Sequence, residues 1–252
     1  MQTITFIGNG TMALSIAQGL KEKYHIEVVG RAMQKLEKFE THLGKKIEKH
    51  LIKDFDTTDK TIILCIKPAN VDEVGKLLHG KAKLLISVLA GTSIEKLKKA
   101  FKPKQLVRSM PNLAASVGAS MTTLTGNIEA KDEAIALLSS IGQTLWLSSE
   151  KEIDIATALA GSGPAYLALI AEALADGAVQ QGLKREDAMA TMRGLFQGFA
   201  TLIQERHPAL LKDGVMSPGG TTAAGYRALE EGNVRASCMR AIEKAYNRAT
   251  EL

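Results

Sequence analysis

Ile4-Thr5-Phe6-Ile7-Gly8-Asn9-Gly10-Thr11-Met12-Ala13 is the stretch whose reading decides the fold. Its first four residues are short, β-branched and aromatic, and a glycine ends them, which is the pattern of a buried strand. Helical periodicity takes over from Ala13 to Leu20. Gly-x-Gly-x-x-Ala between a strand and a helix is a dinucleotide-binding turn in the context it requires. Gly8 permits the turn, Gly10 lets a pyrophosphate reach the backbone, and Ala13 lets helix pack on strand. Asn9, Thr11 and Met12 complete the turn and are grouped with it as cofactor-binding positions.

A second strand follows at Glu27-Val28-Val29, and the residues at its end choose the cofactor. An NAD reader usually holds an acid there for the ribose hydroxyls, whereas an NADP reader often holds an arginine for the 2′-phosphate. Here the strand ends in Gly30-Arg31, with no acid until Glu37. Arg31 can meet a phosphate through two charge-assisted donors. A solvent-facing arginine at a helix start is the plain alternative. Beside a dinucleotide turn the residue favours NADPH, with NADH still admissible.

Strand and helix go on alternating. Thr61–Ile66 is a continuous apolar run, as in a parallel strand covered on both faces, and it stops at Lys67-Pro68. Asn70 is expected to cap the next helix, through about Leu78. Leu84–Val88 is another buried strand, ending at Ala90-Gly91 before Thr92-x-x-Glu95, which reads as a capping box. Gln105–Arg108 leads to Ser109-Met110-Pro111-Asn112. A strand around Ala119–Leu124, a helix from Lys131 to Ile141 and a strand Thr144–Leu147 complete the domain, with Trp146 expected in its core. Ligands of open α/β sheets bind beyond the carboxyl ends of the strands. Gly8–Met12, Lys67-Pro68, Ala90-Gly91 and Met110-Pro111-Asn112 are therefore expected to line one crevice. Each alone is ordinary loop punctuation, and their common position carries the weight. Lys67 can reach a phosphate or simply stay solvated.

The 252 residues allow one large domain or two smaller ones. Apolar content of 45% and charged content of 23% are those of a globular, water-soluble chain. A net charge of +5 favours anionic ligands mildly, while aromatics at 4%, none interleaved with basic runs, argue against nucleic acid. Cys65 and Cys238 have neither redox nor metal-ligand spacing, so reduced thiols and no metal are expected. The amino end runs directly into a strand without a targeting pattern, and a cytoplasmic protein is expected.

From Asp154 the pattern turns to helices only, dividing the chain at 1–152 and 153–252. Ile155–Ala171 carries no charge, which approaches a membrane span. It is alanine-rich and broken by Gly161, Gly163 and Pro164, so a buried helix is the better reading, kinked at the proline. A second helix spans Arg185–Arg206 and ends at His207-Pro208; others run to about Glu231 and from Val234 to Leu252. Val215–Gly225 joins a Pro-Gly-Gly turn to an alanine-rich helix, with Thr221 and Thr222 read as caps. Alone it is a capped turn or a cradle for a small carboxylate or phosphate. The apolar surface of the helical half points to a homodimer or higher homo-oligomer, with a small-molecule substrate and no membrane.

With these motifs in place the chain resembles the 1-pyrroline-5-carboxylate reductase family over nearly its whole length. The resemblance runs from Phe6–Met12 through Lys67-Pro68, Ala90-Gly91, Arg108–Asn112 and Ala160–Tyr166. It closes with His207-Pro208, Ser217–Thr222 and Leu229-Glu230, the hydroxyl-rich Ser217–Thr222 being the most specific. The resemblance implies a Rossmann-type dinucleotide-binding domain followed by an all-α dimerisation domain, reducing 1-pyrroline-5-carboxylate to L-proline with NAD(P)H. It implies that the loop of the partner subunit completes the site, that Ser217, Gly220, Thr221 and Thr222 hold the substrate carboxylate, and that Thr222 donates toward the ring nitrogen. Relatives often carry Met-Pro-Asn-Thr-Pro where this chain has Leu113-Ala114 after Asn112. They also carry a glycine at Ser120 and an aliphatic residue at Tyr226. Hydride addition to an iminium leans on orientation, so the absence of a paired His/Asp or Lys/Asn near the crevice is in keeping. A β-hydroxyacid dehydrogenase would need a lysine inside the long helix, and none occurs between Lys151 and Lys184. A non-catalytic NADP-binding sensor is the other alternative, against which Ser217, Thr221 and Thr222 stand.

Overall fold

The computed structural model describes residues 1–251. Ten strands are β1 (Thr3–Ile7), β2 (His25–Gly30), β3 (Glu48–Leu51), β4 (Phe55–Asp56), β5 (Thr61–Leu64), β6 (Leu78–His79), β7 (Leu84–Ser87), β8 (Gln105–Met110), β9 (Ser120–Gly126) and β10 (Gly142–Trp146). Interleaved with them are α1 (Thr11–Leu20), α2 (Met33–Leu43), α3 (Val71–Leu77), α4 (Ile94–Phe101) and α5 (Lys131–Leu138). After the last strand come α6 (Glu150–Ala156), α7 (Gly163–Gln180), α8 (Arg185–Glu205), α9 (Pro208–Val215), α10 (Thr221–Glu231) and α11 (Val234–Thr250). Met1–Pro164 with the chain from Lys244 on forms one compact unit, and Ala165–Glu243 forms another.

Eight strands make one sheet, in the order β10-β9-β8-β7-β5-β1-β2-β3. From β3 to β8 neighbours are parallel; β9 runs antiparallel to β8, and β10 parallel to β9. The order turns back between β1 and β5, the point where open sheets leave a ligand crevice. Side-chain alternation sorts the core into two layers. Ile4, Phe6, Val28 and Ile63 pack with Ile16, Leu20 and Leu36 on one face. Ile7, Val29, Ile62 and Leu64 pack with Val71, Val74 and Leu97 on the other. Each such fully buried side chain contributes about 1.5–3 kcal/mol of transfer free energy, so the unbroken apolar run of β5 follows from its two covered faces.

Several expectations from sequence need correction. The helix after Gly91 starts one residue later than Thr92-x-x-Glu95 implies: Ser93 is the cap, its hydroxyl accepting from the Lys96 amide at 3.2 Å. Thr92 is buried and donates back to the Ala90 carbonyl. Asn70 occupies the cap position of α3, but its side chain makes no capping bond, because Pro68–Asn70 already forms a short 3₁₀ turn. Thr221 and Thr222 are the first two residues of α10, and the cap is Gly220. The long helix is interrupted by a π turn at Thr157–Gly161, and Pro164 sits in the first turn of α7, where its missing N–H costs little. His207-Pro208 begins a helix, α9, as well as ending one; His207 caps it, Nδ1 accepting from the Ala209 amide. Trp146 is half-buried against the first core layer, with the Lys131 ammonium 6.0 Å from its ring. The final helix is described to Thr250, and Leu252 lies outside the described residues.

Candidate cofactor crevice and substrate loop

A cavity of about 380 Å³ opens at the turning point of the strand order. Gly8, Asn9, Gly10 and Arg31 line it from the β1–β2 side, and Cys65, Lys67 and Asn70 from the β5–α3 side. Gly8 adopts φ +107°, and a Cβ there would stand 2.3 Å from the Cys65 carbonyl oxygen. Only glycine therefore fits, and its amide donates to the Val29 carbonyl at 2.9 Å. Gly10 is the cap of α1 and has nothing within 4 Å of where its Cβ would be. Thr11 and Met12 begin the helix, whose first-turn N–H groups have no helical acceptor; neither lines this cavity, and Thr11 lines a second one of about 370 Å³ that also touches Asn9 and Gly10. Backbone donors, a positive helix end and room for close approach are what a pyrophosphate requires, so the residues fit a dinucleotide. The Asn9 side chain donates to the Lys35 carbonyl, tying the turn to α2.

Charge around the cavity is mainly positive. Lys35 and Lys67 line it beside Arg31, and Lys67 has no ion-pair partner among the described residues. Arg31 does: its guanidinium is 3.1 Å from Glu73 of α3. Burial pushes the Cys65 thiol far above its usual range, so it stays protonated as a wall residue. Lys35, Cys65 and Asn70 were not singled out from sequence as cavity residues. The spacing of Lys35 in the first turn after Arg31 was the available signal.

Pro68, Ala90, Gly91 and Asn112 lie at strand ends on the same edge but outside the walls of this cavity. Asn112 is heavily committed inside the protein. Its Oδ1 accepts from the Ala114 amide, its Nδ2 donates to the Ala160 carbonyl of the π turn, both at 3.0 Å, and its amide donates to Ser120 Oγ at 3.1 Å. Ser120, where relatives often have glycine, is buried and shares a second hydrogen bond with Thr122. The departure thus carries its own partner. Leu113 begins a 3₁₀ turn to Val117 and is exposed.

Arg108 carries no role evident from the sequence, yet it is paired twice. Its side chain is only 4% exposed, with Nη1 2.7 Å from Glu150 and Nη2 2.9 Å from Asp154. Glu150 also accepts from the Ile94 amide at 2.8 Å, so one carboxylate joins β8, α4 and α6. The only close set of potential metal ligands among the described residues is Glu27, Glu48 and His50. Glu27 there already takes Lys60 and the Thr5 hydroxyl, as a buried carboxylate must.

In the helical unit, Ser217–Gly220 forms the turn between α9 and α10. The Gly220 amide donates to the Ser217 carbonyl at 3.0 Å, and a Cβ at 220 would stand 2.5 Å from Ser217 Oγ. Thr221 and Thr222 follow as the first helical residues, both exposed, with no hydroxyl hydrogen bond to another described residue. Free hydroxyls and unpaired N–H groups at one helix end can take a carboxylate. Tyr226, one turn on, donates to Glu230 and accepts from Arg235 at 2.7 Å; hydrogen bonds from Arg235 first and Tyr226 second hold the Glu230 carboxyl below its usual range.

Fold and crevice together define a Rossmann-type dinucleotide-binding protein, and the family comparisons make it an NADP-dependent oxidoreductase. Residues 3–91 match the family described as NADP oxidoreductase coenzyme F420-dependent, and residues 150–252 match pyrroline-5-carboxylate reductase dimerisation. Over 99% of its length the chain is 37% identical to pyrroline-5-carboxylate reductase of Glycine max, covering 96% of that protein. The chain belongs to the pyrroline-5-carboxylate reductase family. The 1-pyrroline-5-carboxylate reductase structure from Streptococcus pyogenes superposes with a TM-score of 0.86 at 32% identity, covering 99% of this chain and 98% of that one. The pyrroline carboxylate reductase of Plasmodium falciparum, solved with NADP bound, gives 0.80 at 26% identity, again covering 99% and 98%.

Proposed function

We propose that this chain reduces 1-pyrroline-5-carboxylate to L-proline, the last step of proline biosynthesis, with NADPH preferred and NADH accepted. Full-length kinship carries the reading: 37% identity over 99% of the chain to a pyrroline-5-carboxylate reductase. NADPH, when bound, supplies the hydride. Gly8–Met12 and the start of α1 receive its pyrophosphate, and Arg31 and Lys67 its remaining phosphate charge; Pro68, Ala90, Gly91 and Asn112 shape the edge toward the nicotinamide. Ser217, Gly220, Thr221 and Thr222 take the substrate carboxylate. The Thr222 hydroxyl donates to the ring nitrogen; solvent supplies the proton that makes it an iminium, and the adjacent carbon then takes the hydride as the C=N π pair returns to nitrogen. Holding the imine in reacting geometry is the main catalytic task, since an iminium needs no strong base.

The functional boundary in this reading falls at 152/153, which the dimerisation match from residue 150 supports. The enzyme is a cytoplasmic homodimer or higher homo-oligomer, each site using the 217–222 loop of a second copy. The test is spectrophotometric: purified protein with 1-pyrroline-5-carboxylate should oxidise NADPH, and failure to oxidise either NADPH or NADH would overturn the proposal. Thr222→Ala should lower kcat about tenfold to a hundredfold, the worth of one hydrogen bond to a developing charge. NADPH affinity should stay unchanged, and undiminished turnover would remove Thr222 from the chemistry.

A further inference from the structure

Arg31 is not free at the crevice. Its Nη2 lies 3.1 Å from Glu73 Oε2, and the pair ties Arg31 in the cavity wall to α3, Glu73 itself standing outside the lining. Arg31 follows β2 directly, whereas Glu73 belongs to the first turn of α3, beyond β5. Val74 and Asn70, its neighbours on that segment, line the cavity opposite Arg31 and Lys35. Both partners are half exposed, at 51% and 58%, so the pair is weak and exchangeable. No other carboxylate pairs with Arg31, Lys35 or Lys67 among the described residues.

We propose that Glu73 sets the preference between the phosphorylated and unphosphorylated dinucleotide, as a built-in competitor for Arg31; this rests on the NADP reading above. A 2′-phosphate reaching Arg31 must displace the Glu73 carboxylate and then remain beside that like charge. Both effects weaken the binding of NADPH. A free 2′-hydroxyl brings no charge and can donate to the carboxylate while Arg31 stays paired. Glu73 then does from α3 what an acid at the end of the second strand does in NAD readers. Its presence narrows the gap between the two cofactors.

The experiment titrates NADPH and NADH separately into the full-length protein without substrate, following nicotinamide fluorescence. It compares wild type, Glu73→Gln, Arg31→Ala and the double variant. Glu73→Gln should tighten NADPH roughly twofold to fivefold, the range of an exposed ion pair. NADH binding should stay level or weaken, and the NADPH gain should vanish when Arg31 is alanine. If Arg31→Ala weakens NADPH alone but Glu73→Gln shifts neither cofactor, the competitor role is wrong and the phosphate site stands. If Arg31→Ala affects both cofactors equally, the phosphate site itself is wrong and the proposal goes with it. Equal shifts of both cofactors in Glu73→Gln, or a gain surviving in the double variant, also overturn it.

Discussion

Arg108 lies within β8, in the interior of the sheet, a place where a lone charge is not tolerated. It is tolerated here because Glu150 and Asp154, one turn apart on α6, close on the two arms of the guanidinium. Removing the arginine would leave both carboxylates facing a hollow. Arg108→Ala should therefore cost about 3 kcal/mol, the lower end for a broken buried pair. The lower end applies because Glu150 remains 35% exposed and can recover some water. Urea unfolding measures it, and a loss under about 1 kcal/mol would reduce the triad to a surface contact. The pieces were visible in sequence: one arginine in an otherwise uncharged strand, and two acids spaced four apart on a helix. Nothing in the sequence joined them, because residues 108 and 150 meet only through tertiary structure. Asn112 shows the converse. Its place at a strand end was legible, but its work as a brace between the 111–119 segment and the π turn was not, since the acceptor is a backbone carbonyl at Ala160.

At the scale of elements, the strand–turn–helix start and the apolar β5 and β7 were legible because local period and tertiary burial agree. The short strands β3, β4 and β6 were missed. They are two to four residues long, polar and at edges, so no alternation marks them. Caps were misplaced wherever two candidates stand side by side. Thr92 and Ser93 both carry hydroxyls, and only backbone direction decides that the serine faces the open amides. Ser93→Ala should thus destabilise the protein by about 1 kcal/mol in chemical denaturation. A neutral Ser93→Ala would return the cap to Thr92. At α10 the threonines were read as caps, yet glycine takes that position and leaves both hydroxyls unspent.

For the whole molecule, the helical unit leaves an unusual amount of apolar surface wet in a single copy. Leu169, Leu195, Phe199, Leu202 and Leu210 are all exposed. Glu150–Gln180 is even long and apolar enough to cross a membrane by length and composition, with only 11% of its most apolar window buried. Residues 150–252 match a family described by its dimerisation, so a second copy of the same chain is the proposed cover for that surface. Phe199→Asp should accordingly shift the protein toward monomer in light scattering, and an unaltered mass would place the interface elsewhere. The sheet has one further consequence. Most connections between its strands leave the crevice edge, cross a face as a helix and return from below. The β8–β9 connection alone never leaves, because β9 runs back against β8. Residues 111–119 can therefore lengthen, shorten or change composition without rewiring any strand. Across a lineage, this is the stretch that can drift in length while the order of the strands stays fixed.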